Sequence, residues 1–277
     1  MHHKITIKVV VDNNAADGFM AEHGFSVWID NGYDHILLDC GQGDALVHNL
    51  SLFGKSVADV SKLVISHGHY DHTGAIDKVL ESSKLLTVYA HTDIYEKRYS
   101  IHDGKPAKDI SINSEHKRLL QQFPTVNKRL TNSPVEVSGQ VFATGEIPRN
   151  TSYEDTGGPF YLDECKETPD LIYDDQSIYI NTKNGAVLIT GCCHSGIVNT
   201  MDYVTRVFNQ NIHMVIGGLH LVNATDERIN KTIDAFRQFG VEKLIPCHCT
   251  GEYAISRMQQ ELGNMIQPGY AGMQIDL

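Results

Sequence analysis

A chain of 277 residues, 41% hydrophobic and 21% charged, has an ordinary globular composition and is long enough for one large domain or two halves around a shared core. With 34 acids against 23 bases the formal net charge is −11, which disfavours nucleic acid and anionic membranes as general partners but leaves room for a local basic patch. No window approaches the roughly 18 apolar residues of a membrane span, and MHHKITIKVVVDNN offers too short an apolar run for a leader.

In chain order, β-rich runs separated by polar turns predict strands at 5–11 (ITIKVVV), 25–29 (FSVWI), 35–39 (HILLD), 62–66 (KLVIS) and 86–90 (LTVYA). A second series follows at 140–144 (QVFAT), 177–181 (SIYIN), 186–190 (AVLIT), 214–218 (MVIGG) and 243–246 (KLIP). Helices are expected among the later strands, at MDYVTRVF, at EYAISRMQQELG and after Thr225. There Thr225 serves as N-cap, Asp226 and Glu227 occupy the first turn, Ile229, Ile233 and Phe236 share a face, and Gly240 terminates. Hairpins followed by interspersed helices, twice over, predict an α/β chain (α+β in some schemes): an αββα sandwich of two mixed sheets packed face to face with helices outside. We read residues 1–277 as a single domain with an insert at about 91–175 forming a partial lid. Within 97–129 eight bases stand against three acids, and an acidic run follows from Glu154 to Asp175. The insert is either a solvated surface of mixed charge or a cover whose bases, Lys97 and Arg98 foremost, hold an anionic substrate group.

The densest chemical signal is SHGHYDHTGA at 66–75. A loop leaving a strand can aim His67 and His69 at one ion and the Asp71–His72 pair at another, with Gly68 and Gly74 supplying turn freedom. One loop cannot complete two ions, so further ligands are expected at other strand ends. His194 in GCCHSG, His220 in GGLHL and His248 in PCHCTG each follow a predicted strand. His23, His35, His48, His91, His102, His116 and His213 lack that context and read as structural or surface residues. Imidazole and carboxylate suit zinc first, with manganese or iron as alternatives.

The order HILLDCG, SHGHYDH, a strand ending in Gly and a late strand ending in His resembles the metallo-β-lactamase superfamily. DNN, EHGFS, LLDCGQ, TGEIPR, GCCHSGIVN, GGLHL and PCHCTG resemble its dihydropteroate-synthase-like branch, the archaeal dihydropterin ribofuranosylaminobenzene phosphate synthase family, over nearly the whole chain. The resemblance implies that His67, His69, Asp71 and His72 are metal ligands and that Asp39 is a buried carboxylate orienting them. The chain departs from the superfamily pattern twice. Thr144-Gly145-Glu146 stands where relatives have Pro-Gly-His, and Gly191-Cys192-Cys193-His194 where they have Gly-Asp with a bridging aspartate. The bridging residue is therefore open among His194, Cys192 and Glu146. The preferred arrangement puts His67, His69 and His194 around one ion and Asp71, His72 and His248 around the other, with Glu146 or His220 facing substrate.

Six cysteines, Cys192 beside Cys193 and Cys247 and Cys249 flanking His248, do not resemble a secreted disulfide framework, so a reducing cytoplasm is expected. Those four read as small buried residues beside the metals rather than a separate sulfur-rich zinc site, and GQGD is too short for a dinucleotide loop. The expected activity is hydrolysis of a phosphate-containing, anionic small molecule by a hydroxide generated between two divalent cations about 3.5–4 Å apart, with Asp71 and His220 as catalytic groups and Lys97, Arg98 and Glu146 contacting substrate. A lactonase or carboxylic-ester hydrolase would share the ligands, and a pterin-related synthase releasing pyrophosphate is the reading the branch name suggests. An oxygen-reducing di-iron protein and a non-catalytic sensing module are further alternatives. A homo-oligomer is left open.

Overall fold

The structure, a computed structural model, describes residues 4–277; the sequence reading of the first three positions lies outside it. Alternation of inward and outward side chains builds the architecture. In Ser26–Asp30, Val27 and Ile29 point into one apolar cluster while Trp28 points into another; Ile36 and Leu38 flank Leu37 in the same way. Seven strands form one sheet, in the order Gln274–Asp276, Thr6–Val11, Ser26–Asp30, His35–Leu38, Lys62–Val64, Thr87–Ala90 and Lys128–Leu130. Six form a second, in the order Lys243–Pro246, Ile212–Gly217, Gly185–Thr190, Ser177–Thr182, Val141–Ala143 and Val135–Ser138.

The core between the sheets joins Ile7, Val9, Val27, Ile29, Ile36 and Leu38 to Ile178, Ile180, Val187, Ile189 and Ile216. Each such side chain, removed from water, contributes about 1.5–3 kcal/mol before entropy is counted. The outer face of the first sheet packs on helices Ala45–Leu52 and Ile76–Ser82. The outer face of the second packs on helices Ile197–Phe208, Asp226–Gln238 and Glu252–Leu262. This is the αββα arrangement, and the predicted strands fall on it with ends shifted by a residue or two. Thr225 caps its helix as expected, its side chain accepting the Arg228 amide, and Gly240 follows the helix end at φ +67°.

Several short strands were not foreseen: Lys128–Leu130, Val135–Ser138 and Gln274–Asp276 at sheet edges, and a third sheet of Phe160–Tyr161, Tyr99–Ser100 and Lys108–Asp109. Each is short, and none carries the continuous apolar run that marked equally short inner strands such as Lys62–Val64 and Lys243–Pro246. The small sheet lies in segment 91–175, and the residues just after its strand Lys108–Asp109 meet the histidine-rich loop through a His69–Ser111 bridge and a Tyr70 amide donating to the Ile110 carbonyl. Among the described residues no helix is long and apolar enough to cross a membrane.

Candidate metal centre

Parallel pairing decides where the histidines meet. His35–Leu38, Lys62–Val64 and Thr87–Ala90 run parallel in one sheet, and Gly185–Thr190, Ile212–Gly217 and Lys243–Pro246 in the other. Their carboxyl ends release Asp39, His67, His194, His220 and His248 along one edge of the sandwich, where open α/β sheets gather their sites. Asp39, Cys193, His220 and His248 adopt left-handed φ of 58°, 63°, 44° and 47°. Such backbone costs on the order of 1–3 kcal/mol per residue and persists only where surroundings over-determine it, as they do in functional sites.

The ring nitrogens are sorted by their partners. Asp39, fully buried, accepts the Ser66 amide at 2.7 Å on one oxygen, and on the other the Ser66 hydroxyl and the His72 Nδ1–H, both at 2.7 Å. His67 Nδ1 in turn bonds the Ser66 hydroxyl at 2.9 Å. His194 Nδ1–H donates to the Thr156 carbonyl at 2.7 Å, and His248 Nδ1–H to Asn13 Oδ1 at 2.8 Å, while the His248 amide donates to Asp12 at 2.7 Å. With Nδ1 occupied in all four rings, Nε2 is the nitrogen that each ring, when neutral, can offer to a cation. These nitrogens converge. His67 Nε2 faces His69 Nδ1 at 2.9 Å, and the His194 ring lies 4.8 Å and 5.0 Å from the rings of His67 and His69. His72 Nε2 lies 3.1 Å from Cys192 Sγ, and His248 Nε2 3.4 Å from Asp71 Oδ2.

Burial pushes His67, His69 and His194 well below the usual imidazole range, so without a cation these rings are neutral bases crowded together. Buried His194 Nε2 and His69 Nε2 have no protein partner at all. Burial would also lower His72, but the Asp39 and Asp71 carboxylates beside it raise it to about 9. Burial would raise Asp71, yet His72, His23 and His248 hold it well below the carboxylate range. Orphaned lone pairs aimed at one another, with one nearby carboxylate and one thiol, form a donor set that fits divalent cations.

The structure therefore brings together His67, His69, Asp71, His72, His194 and His248, with Asp39 beneath them. His220 sits at the same cavity, its ring 4.3 Å from that of His194 and its Nδ1 unpartnered. Burial, with His248 and Arg228 nearby, pushes it down to about 4. The cavity, about 350 Å³, has His69, Asp71, Cys192, His220 and His248 in its lining.

The substrate contacts expected from sequence are not among the lining residues. Arg98 is buried, its guanidinium donating to Asp174 at 2.6 Å and lying 3.3 Å from Asp170, so it has no free face for a ligand. Lys97 is half-exposed, pairs with Asp109 and lies over the Tyr99 ring in a different groove. Glu146 stays out on the Gly145 turn, 3.8 Å from His91 Nε2. Each base found an acid or a ring within its own segment, a pairing that residue order does not reveal. The cations lining the cavity are instead Lys105 and Lys108, the latter donating to the Tyr70 hydroxyl at 2.9 Å.

Sequence reasoning also missed His23 and His102, read as structural or surface residues. Both line the cavity, and His23 Nε2 is 3.2 Å from Asp71 Oδ2. Asp12 and Asn13, which position His248, were visible only as part of the DNN motif. Asp174, which accepts the Gly68 amide at 2.7 Å between His67 and His69, gave no signal beyond a place in the acidic run.

The family model described as the metallo-beta-lactamase superfamily matches residues 21–166. An uncharacterized protein of Methanocaldococcus jannaschii is 33% identical over 96% of this chain and 98% of its own length. The same organism's 7,8-dihydropterin-6-methyl-4-(beta-D-ribofuranosyl)-aminobenzene-5'-phosphate synthase is 27% identical over 92% and 90% of the two chains. Among solved structures, a metal-dependent hydrolase of the beta-lactamase superfamily superposes with a TM-score of 0.84 at 31% identity, covering 99% of each chain. Full-length likeness in sequence and in backbone, centred on converging imidazoles at the sheet edge, places this chain in the metallo-β-lactamase superfamily.

Proposed function

We propose that the protein is a dinuclear metal-dependent hydrolase acting on a phosphate-containing, anionic small molecule, with zinc as the preferred ion. The observation that carries this reading is one cavity with six His and Asp donors at or beneath its floor and Lys105 and Lys108 in its wall. His67, His69 and His194 would hold one ion and Asp71, His72 and His248 the other. Paired divalent ions supply hydroxide near neutral pH and withdraw charge from a phosphoryl oxygen.

The chain's own groups do the rest. Lys105 and Lys108 attract and orient the anionic group, and Phe160, its ring 5.4–5.8 Å from those of His69, His194 and His220, walls off water. Asp71, kept ionised, orients the nucleophile or takes its proton, and neutral His220 faces the reacting centre as a second proton carrier. The solved relative described as a metal-dependent hydrolase supports the reaction class. The relative named as a synthase leaves a second reading, a pterin-related synthase releasing pyrophosphate, and its name includes a 5'-phosphate, an anion of the proposed class.

The test is a panel comparing bis(p-nitrophenyl) phosphate with neutral ester and lactone analogues, run on protein of measured metal content. Metal-dependent turnover of the phosphodiester above the others supports the proposal. Preference for lactone or ester, or pyrophosphate release only with a second organic substrate, replaces it.

A further inference from the structure

We infer that Cys192 is a direct ligand of this centre, its thiolate shared between the two ions. The inference rests on the dinuclear reading above and goes past it in assigning the bridge. The Cys192 Sγ lies within 4.8 Å of the donor atoms of His67 and His194, and equally of those of His72 and His248. Among the described residues, no other donor belongs to both of these sets. Asp39 holds His72 Nδ1, so the ring turns its other nitrogen, Nε2, to the Cys192 Sγ at 3.1 Å. The residue is 3% exposed and lines the cavity.

Local backbone explains why this cysteine, and not its neighbour, faces the ions. A Cβ on Gly191 would stand 2.2 Å from the Ser66 hydroxyl oxygen and 3.1 Å from Asp39 Oδ2, so only glycine lets this strand end press against the ligand loop. The left-handed Cys193 then reverses the chain, and its own Sγ turns away to the Thr200 hydroxyl, 3.5 Å off. Cys249 Sγ is oriented toward the Cys192 carbonyl at 3.5 Å; it groups with Cys192 and His220 but with neither the His67–His194 nor the His72–His248 pair. A thiolate between imidazoles makes the donor set softer than one of carboxylate and imidazole alone, favouring zinc or ferrous iron over manganese or magnesium.

Cobalt(II) reports the ligand without any assay of turnover. Wild-type protein loaded to two cobalt ions per chain should show an intense near-ultraviolet thiolate-to-cobalt band beside the weaker visible bands of imidazole coordination. Cys192→Ser should lose the near-ultraviolet band. Cys192→Asp, which restores a bridging donor and serves if the serine variant does not fold, should lose it while still binding two ions. Cys193→Ser and Cys249→Ser should keep it. A band that survives both Cys192 variants, or disappears with Cys249→Ser instead, overturns the assignment. Zinc-edge X-ray absorption of the wild type needs no variant: a sulfur scatterer at about 2.3 Å is expected, and a shell of only nitrogen and oxygen overturns the proposal. Both of those results leave the dinuclear reading standing. Wild type that binds no cobalt or zinc removes that reading and this one together.

Discussion

Arg98→Ala would test how the segment at 91–175 is tied to the metal loop. Its guanidinium is 1% exposed and serves Asp174 at 2.6 Å and Asp170 at 3.3 Å, and Asp174 passes the constraint on by accepting the Gly68 amide between His67 and His69. Deleting the cation leaves two buried carboxylates facing each other. Breaking a buried pair in this way costs about 3–5 kcal/mol, because the surviving charge keeps its desolvation penalty and loses its compensation. At about 2.1 cal/mol/K of unfolding entropy per residue, a chain of 277 residues would lose on the order of 5–9 °C in Tm. Loosening Gly68 should also weaken metal binding by roughly 10–100-fold, the range seen when a partner that orients ligands is removed. Scanning calorimetry of the metal-free protein and competition titration with a zinc chelator read the two effects separately. A melting temperature within about 1 °C of wild type would refute the buried-pair argument. Lost stability with unchanged metal affinity would confine Arg98 to holding the fold.

Other outcomes follow from the same geometry. Lys108→Ala should raise KM for phosphate esters about tenfold, equivalent to a charged contact of about 1.5 kcal/mol, while Lys97→Ala leaves it near wild type. Equal effects of the two variants, or an equal effect of Lys108→Ala on neutral esters, would remove lysine from substrate recognition. His69→Ala should abolish metal occupancy by elemental analysis with far-ultraviolet dichroism preserved; full occupancy would exclude this ligand set. After metal removal, denaturant stability should fall as pH drops below about 6.5, since the unfolded chain then protonates imidazoles that the native state keeps neutral at His67, His69 and His194. His72 acts oppositely, its contribution being complete below 6.5 and lost as pH rises toward about 9, so stability should peak between the two limbs. A profile flat from about pH 7 down to pH 5 would contradict neutral burial of the three rings.

Much of this was readable in residue order. Continuous apolar strands such as AVLIT and KLIP appear almost residue for residue, because a strand buried on both faces must be apolar throughout. The candidate ligands too were marked, since each follows a strand and sits beside a glycine or proline turn. What escaped notice is instructive. Arg98 looked like a substrate contact because clustered bases suggest an anion, but its acids lie more than 70 positions downstream, at 170 and 174. His23 looked like a surface residue, being 55% exposed at its side chain, yet it leans on Asp71 across a 48-residue separation.

Composition and pattern alone were enough for the layered α/β class, the loop carrying four candidate ligands and the strand ends carrying three more histidines, because these depend on period and on turn chemistry close along the chain. Ring tautomers, the pairing of Arg98, the choice of Lys105 and Lys108 over Lys97, and the approach of Cys192 to both groups of imidazoles depend on contacts between segments far apart in sequence. Only packing two sheets with their parallel strands ending on one edge brings those segments within hydrogen-bond distance, so only the folded chain could decide them.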